Sequence, residues 1–161
     1  MSGHPLTKEF FKETVEQTVD EYLARPQDIR RGRLAAIVLN HMVDYWGADT
    51  EESLTSIRKT LSDATRFGTY SLFQAVMDVA DVSKHARLES GKRTPPPALT
   101  KTKQVTSRVV GEYGSAPYGQ GCYGALSAMD IRIVLNDGKT FSLSNAIHKV
   151  TDMWRKKLLL S

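Results

Sequence analysis

The hydrophobic repeat of this 161-residue chain changes once, and that change limits the folds open to it. Through Leu88, apolar residues recur every three to four positions, which places them on one stripe of a helix. From Val105 they alternate or run in short blocks bounded by glycine and asparagine, the signature of strands. Residues 89–104 follow neither repeat. With Gly91, Pro95-Pro96-Pro97 and four basic residues, they read as an exposed, stiff, Pro-rich basic linker. A helical part followed by a hairpin part belongs to the α+β class, because the βαβ alternation of a parallel sheet is missing.

Four helices are expected over 7–88. The first opens at Thr7 as N-cap, buries Phe11, Val15, Val19, Tyr22 and Leu23, and stops at Pro26. Asp28 caps the second, whose Leu34, Ala35, Val38, Leu39, Met42, Val43, Tyr45 and Trp46 predict burial on most sides. Gly47 suits its C′ position. The third runs from about Thr50, with Glu51 and Glu52 in its first turn, through Leu54, Ile57, Leu61 and Ala64, and breaks near Phe67-Gly68. The fourth begins near Thr69 or Ser71 and carries Leu72, Phe73, Val76, Met77, Val79, Ala80, Val82 and Ala86, apolar around most of its circumference.

In the remaining part, residues 105–161, Val105 to Val110 reads as a short strand and Ile131 to Leu135 as the clearest one. Asn136-Asp137-Gly138 then supplies the positive-φ residues of a tight turn into Thr140-Phe141-Ser142-Leu143. Ser144 is expected to cap a last helix, with Ile147, Val150, Trp154 and Leu158 on one stripe. The expected architecture is one α+β domain over 1–161: an antiparallel bundle of about four helices, a small antiparallel sheet and a C-terminal helix.

With 40% hydrophobic and 25% charged residues, the chain suits a single ordinary domain rather than a disordered one. No apolar run approaches the ~18 residues of a spanning helix. The start, Met1-Ser2-Gly3-His4-Pro5, lacks the charged and apolar regions of a signal peptide, so a cytoplasmic location is expected. The lone cysteine, Cys122, excludes an internal disulfide or a Cys-cluster zinc site. Charge is unevenly shared: residues 1–88 hold 11 Lys/Arg against 13 Asp/Glu, a net −2, and residues 89–161 hold 11 against 5, a net +6. Lys92, Arg93, Lys101, Lys103 and Arg108, in and beside the linker, favour phosphate backbones or acidic partners by Coulomb attraction. Arg155, Lys156 and Lys157 instead suit the C-terminal end of a helix dipole.

Several residue patterns bear on chemistry. Gly119-Gln120-Gly121-Cys122-Tyr123-Gly124 matches the dinucleotide fingerprint in letters but leads into a strand, so it lacks the helix N-terminus that holds a pyrophosphate. Tyr118 and Tyr123, in this glycine-rich loop, remain candidates for closing over a ligand. In the fourth helix, Gln74, Asp78, Asp81 and His85 form a polar stripe at i, i+4, i+7 and i+11 on an otherwise apolar element. The second helix offers a partner stripe of Arg33, Asn40 and Asp44, with His41 beside Asn40. Such groups can position a proton acceptor, bind a ligand or form an interhelical network. The last is the expected role for most of them, because buried polar groups are costly to leave unpaired. No Glu-x-x-His pair or closely spaced histidines occur, so no metal is expected.

The segment Asp81-Val82-Ser83-Lys84-His85, closing an apolar helix that follows the Leu34 to Trp46 helix, resembles a set of uncharacterised bacterial proteins whose bundles are distantly similar to HEPN domains. Those proteins share an Asp-x-x-Lys-His helix end followed by a glycine-rich segment, an Asp-Gly hairpin and a Trp-containing last helix. The likeness covers most of residues 28–158. It implies a helical core, homodimerisation and a nucleotide- or RNA-related role. Catalytic HEPN ribonucleases carry an Arg followed after about four to six residues by a His. Here residues 34–40 separate Arg33 from His41, one more than that pattern allows.

The missing catalytic signatures favour a non-catalytic binding or interaction module without cofactor, homodimeric through its apolar helices. In that reading it contacts nucleic acid, a nucleotide or an acidic partner. The alternative is a metal-independent ribonuclease of HEPN-like type, with Arg33, His41 and His85 acting on RNA and Asp81 orienting a histidine. Asn40, Asp44, Asp78, Lys84, Tyr118 and Tyr123 are the candidate ligand contacts.

Overall fold

The computed structural model describes residues 3–88, 96–109 and 129–160. Pro5 starts the first helix, α1 (Pro5–Phe10), which passes through a π-helical stretch, Phe11–Val15, into α2 (Glu16–Leu23). The wider π turn keeps residues four apart in line, so that Phe11, Val15 and Val19 all face the core. Thr7 is not the N-cap. It lies inside α1, fully buried, and its N–H and Oγ1 both donate to Asp49 Oδ2, at 2.8 and 2.6 Å. The N–H of Leu6 donates to Asp49 Oδ1 at 3.3 Å. A carboxylate 42 residues away in sequence thus does the work of a local cap. Burial raises the pKa of this carboxyl. The Thr7 and Leu6 hydrogen bonds and the nearby His4 charge outweigh that effect and hold it below the ordinary value.

Asp28 caps α3 (Ile29–Thr50) as expected, accepting the Arg31 N–H at 3.1 Å. Gly47 does not end it: the helix runs on to Thr50, and Glu51 takes the left-handed C-cap position at φ 59°. A Cβ on Gly47 would lie 3.1 Å from Leu54 Cδ2, so its small size serves packing against α4 (Leu54–Ala64). Nor is α3 buried on most sides. Ala35, Ala36, Leu39, Met42, Val43 and Trp46 are buried, whereas Leu34 is 43% and Tyr45 37% exposed. The excess of apolar residues that suggested full burial is split between two opposite faces.

α4 starts later than the acidic pair suggested, with Ser53 accepting the Ser56 N–H at 3.2 Å. The expected break at Phe67-Gly68 is a tight hairpin of β1 (Arg66–Phe67) and β2 (Tyr70–Ser71), with Gly68 at φ 62°. Ser71 then caps α5 (Leu72–His85), whose Phe73, Val76, Met77, Val79, Ala80 and Val82 are buried as its pattern predicted, with Ala75 buried as well. Leu72 is half-buried, and Ala86, expected on the apolar face, is instead the exposed left-handed C-cap at φ 59°.

The chain after the linker's proline run is docked rather than exposed. Pro97 and Leu99 are buried, Arg87 and Lys101 form an antiparallel β-bridge, and Thr102–Gln104 makes a 3-10 turn. The sheet has the order β3 (Val105–Val109), β4 (Met129–Val134), β5 (Thr140–Ser142), antiparallel throughout, with Val105 opposite Ile133 and Ile133 opposite Phe141. Gly138 closes the expected turn at φ 86°. Ser142, not Ser144, caps α6 (Leu143–Lys157), accepting the Asn145 N–H at 3.2 Å, while the Ser144 hydroxyl pairs with Ser142 Oγ at 2.9 Å.

α6 packs against both the helices and the sheet and buries Ile147, Val150, Trp154 and Leu158. The structure is therefore α+β, a helical bundle with a three-stranded antiparallel sheet and a C-terminal helix. Among the described residues no helix is long and apolar enough to cross a membrane.

Candidate functional site

The polar stripe of α5 leads to the site. At its N-terminal half Asp78 is fully buried: Oδ1 accepts Gln74 Nε2 at 2.8 Å and Oδ2 accepts the Ala98 N–H at 2.6 Å. Asp78 thereby anchors the chain returning from the linker. That chain is tied to the β4–β5 turn in the same place. Ala98 O accepts the Asn136 N–H at 2.9 Å, and Asn136 Nδ2 donates to Pro97 O at 3.1 Å. Gln104 locks the arrangement, its Oε1 accepting the Thr100 and Lys101 N–H groups at 2.8 Å each and its Nε2 donating to Val134 O at 2.9 Å and Asn136 Oδ1 at 3.0 Å. A glutamine that uses both ends of its amide on four backbone and side-chain partners fixes the geometry of three segments at once.

These contacts leave a cleft of about 640 Å³ at the N-terminal end of α5. It is lined by Ser62 and Arg66, by Thr69, Tyr70 and Ser71 of the β1–β2 hairpin with Gln74 of α5, and by Pro96 to Ala98 with Asn136 and Asp137. Two turns meet across its mouth, where the Tyr70 hydroxyl donates to Asp137 Oδ2. Lys139 Nζ lies 3.6 Å from that oxygen and 5.1 Å from the centre of the Tyr70 ring.

The Tyr70 hydrogen bond, followed by that of the Lys139 N–H, lowers the Asp137 pKa, and the same bond from Tyr70 to Asp137 raises the phenol. Arg66 is exposed and paired with Asp63 at 2.8 Å. The α5 N-terminus itself is closed, its first N–H groups donating to Thr65 O, Thr65 Oγ1 and Ser71 Oγ.

At the other half of α5, Asp81 Oδ1 accepts Asn40 Nδ2 from α3 at 3.2 Å and faces Lys84 Nζ at 3.6 Å. Of the residues singled out by sequence, the structure therefore brings Asn40, Asp81 and Lys84 together. Asp78 joins Gln74 and Ala98 instead. His41 is exposed on the outer side of α3, where its Nδ1 lies 3.3 Å from Asp44 Oδ2, and His85 is exposed at the end of α5. Arg33 has a buried Nε with no hydrogen-bond acceptor among the described residues. No hydrogen bond or ion pair among the described residues links Arg33, His41 and His85 to one another. Tyr118 and Tyr123 lie outside the described residues. No group of three or more His, Cys, Asp or Glu among the described residues is placed to hold a metal ion.

Sequence reasoning missed most of the cleft. Arg66, Tyr70, Pro97 and Asp137 lie in turns whose local geometry is legible, but no periodicity tells which turn meets which. The available signal was the grouping of turn residues at 67–71, 95–97 and 136–138. In comparisons with known proteins, no family model, curated protein or solved structure matches this chain.

Proposed function

We propose that the protein is a non-catalytic binding module that takes a nucleotide, free or at the end of a nucleic-acid strand, in the cleft at the start of α5. The cleft's volume of about 640 Å³ lies in the range of small-molecule sites. Its walls combine the Tyr70 ring, on which a base can stack, with the Gln74 amide for hydrogen bonding, and Arg66 and Lys139 at the rim can meet phosphate. The ion pairs that these two cations make are exposed and cost little to exchange for a ligand's charge.

The observation that carries the non-catalytic part is the Tyr70–Asp137 pair. General acid–base catalysis works best with a group whose pKa lies near the working pH. Here one hydrogen bond drives the carboxyl down and the phenol up, so that both keep their protonation state through neutrality. The ribonuclease alternative has Asp81 orient a histidine. Asp81 is hydrogen-bonded to Asn40 and lies 3.6 Å from Lys84 Nζ. Self-association as a homodimer belongs to the same reading.

Amide NMR titration with mononucleotides, and in a parallel arm with a short single-stranded RNA, tests the proposal. Shifts centred on Thr69, Tyr70, Gln74, Asn136 and Asp137, with the RNA left intact, are expected. Saturation by the mononucleotide alone identifies a free nucleotide as the ligand, and saturation only by the RNA identifies the strand. No perturbation of these amides at millimolar ligand, or cleavage of the RNA, overturns it.

A further inference from the structure

The outer face of α3 exposes apolar side chains, interrupted by Arg30 and His41. Arg30, Leu34, Val38, His41, Tyr45 and Ala48 recur on it every three or four residues; Leu34 and Tyr45 are 43% and 37% exposed and Val38 is half-buried. α1 widens the strip: the Phe10 ring stacks on Tyr45 at 4.0 Å and 5°, and Leu6 is 48% exposed. At 1.5 Å per residue the strip runs roughly 27 Å. Exposed apolar surface of this kind marks a contact with another molecule.

The charges along the helix say which molecule. α3 has no acid in its first turn, where Arg30 and Arg31 stand, and no base in its last, where Asp49 stands ahead of Glu51 and Glu52. The acidic end is thus charged against the helix dipole, which favours cations there, and at the start Arg30 and Arg31 outnumber the capping Asp28. Within the chain, Arg31 is answered by Asp28 at 3.3 Å and Asp49 by the Thr7 and Leu6 N–H groups. Arg30, Glu51 and Glu52 are exposed, and so is Asp44 with its His41 contact. A second α3 laid antiparallel, with the two Ile37-Val38 stretches in contact, brings Arg30 of each copy level with Asp44 and Tyr45 of the other. It also sets the cationic start of each helix beside the acidic end of its neighbour.

We infer that this face receives a second copy of the chain, the two α3 helices crossing antiparallel about a two-fold axis. The surface is self-complementary in the way such an axis requires: apolar at the centre, cationic at one end and acidic at the other. The inference rests on the self-association included in the function proposed above and names its surface; it does not depend on what the cleft binds.

Sedimentation equilibrium of the full chain tests it, with Val38→Glu, Leu34→Glu, Arg30→Glu, Asp44→Arg and the double variant Arg30→Glu/Asp44→Arg. The wild type is expected at twice 18.0 kDa. The two apolar-to-Glu variants are expected as monomers with unchanged circular dichroism. Each single charge reversal weakens association by about tenfold, and the double variant restores most of it. The charge variants sit at exposed positions and carry the test if Val38→Glu or Leu34→Glu fails to fold. A wild-type dimer that persists unweakened in both charge reversals overturns this face and leaves self-association standing. A wild-type monomer at high concentration overturns both.

Discussion

Asp78 and Asp81 stand one turn apart on the same face of α5, yet they hold different things together. Asp78 is fully buried and joins its own helix to the chain returning at Ala98, through bonds of 2.8 and 2.6 Å. Asp81 keeps 19% of its side chain exposed and reaches Asn40 at 3.2 Å and Lys84 at 3.6 Å. The sequence pattern weights the two equally. The first is fully buried and ties the returning chain beside the cleft to α5, and the second joins α3 to α5 at a seam that water can reach.

The largest effect expected from this contrast is that of Asp78→Ala. It leaves the Ala98 N–H and the Gln74 amide without their acceptor and a void where the fully buried carboxylate stood, and is expected to cost about 3 kcal/mol in urea unfolding. Gln104→Ala comes next, at about 2 kcal/mol, because the Thr100 and Lys101 N–H groups lose their acceptor at the edge of the same cleft. Asp81→Ala is expected to cost about 1 kcal/mol, its partners being able to turn to water. Equal losses for Asp78→Ala and Asp81→Ala would break the comparison.

The smallest effect concerns the latch at the cleft mouth. The lowered Asp137 pKa makes its contribution present above the unfolded value of 3.8 and lost as pH falls through the folded one. Tyr70, raised, contributes below its unfolded value of 10.0 and loses that contribution as pH rises through the folded one. The Tyr70 ring resonances should therefore stay constant between these limits and move outside them. In Tyr70→Phe, the Asp137 carboxyl should titrate closer to its ordinary value.

Much of the fold was legible from the chain, and the misses share one cause. The change of hydrophobic repeat, the Asp28 cap, a helix start near Thr69 or Ser71 and the turn at Asn136-Asp137-Gly138 depend on neighbours within a few residues and match the structure, except that Gly138 alone of the three turn residues takes a positive φ. Thr7, Gly47 and Ser144 each satisfy a local rule that a distant or adjacent group fulfils instead: Asp49 for the first, Glu51 for the second, Ser142 for the third. The cleft was illegible for the same reason. Ser62, Tyr70, Pro97 and Asp137 are brought together by the docking of 96–104, which the composition of that stretch, rich in proline and basic residues, presents as solvent-exposed. The burial of Leu99 and the Gln104 amide bonds reverse that expectation.

Ligand binding at the cleft is tested most directly by calorimetric titration of a mononucleotide, with a short RNA in parallel, into wild type, Tyr70→Ala and Tyr70→Phe. Loss of the ring should weaken binding by roughly tenfold or more, the worth of one base stacked on an aromatic side chain, while Tyr70→Phe keeps most of the affinity. Equal affinities for wild type and Tyr70→Ala, or no binding of either ligand by the wild type, would contradict it.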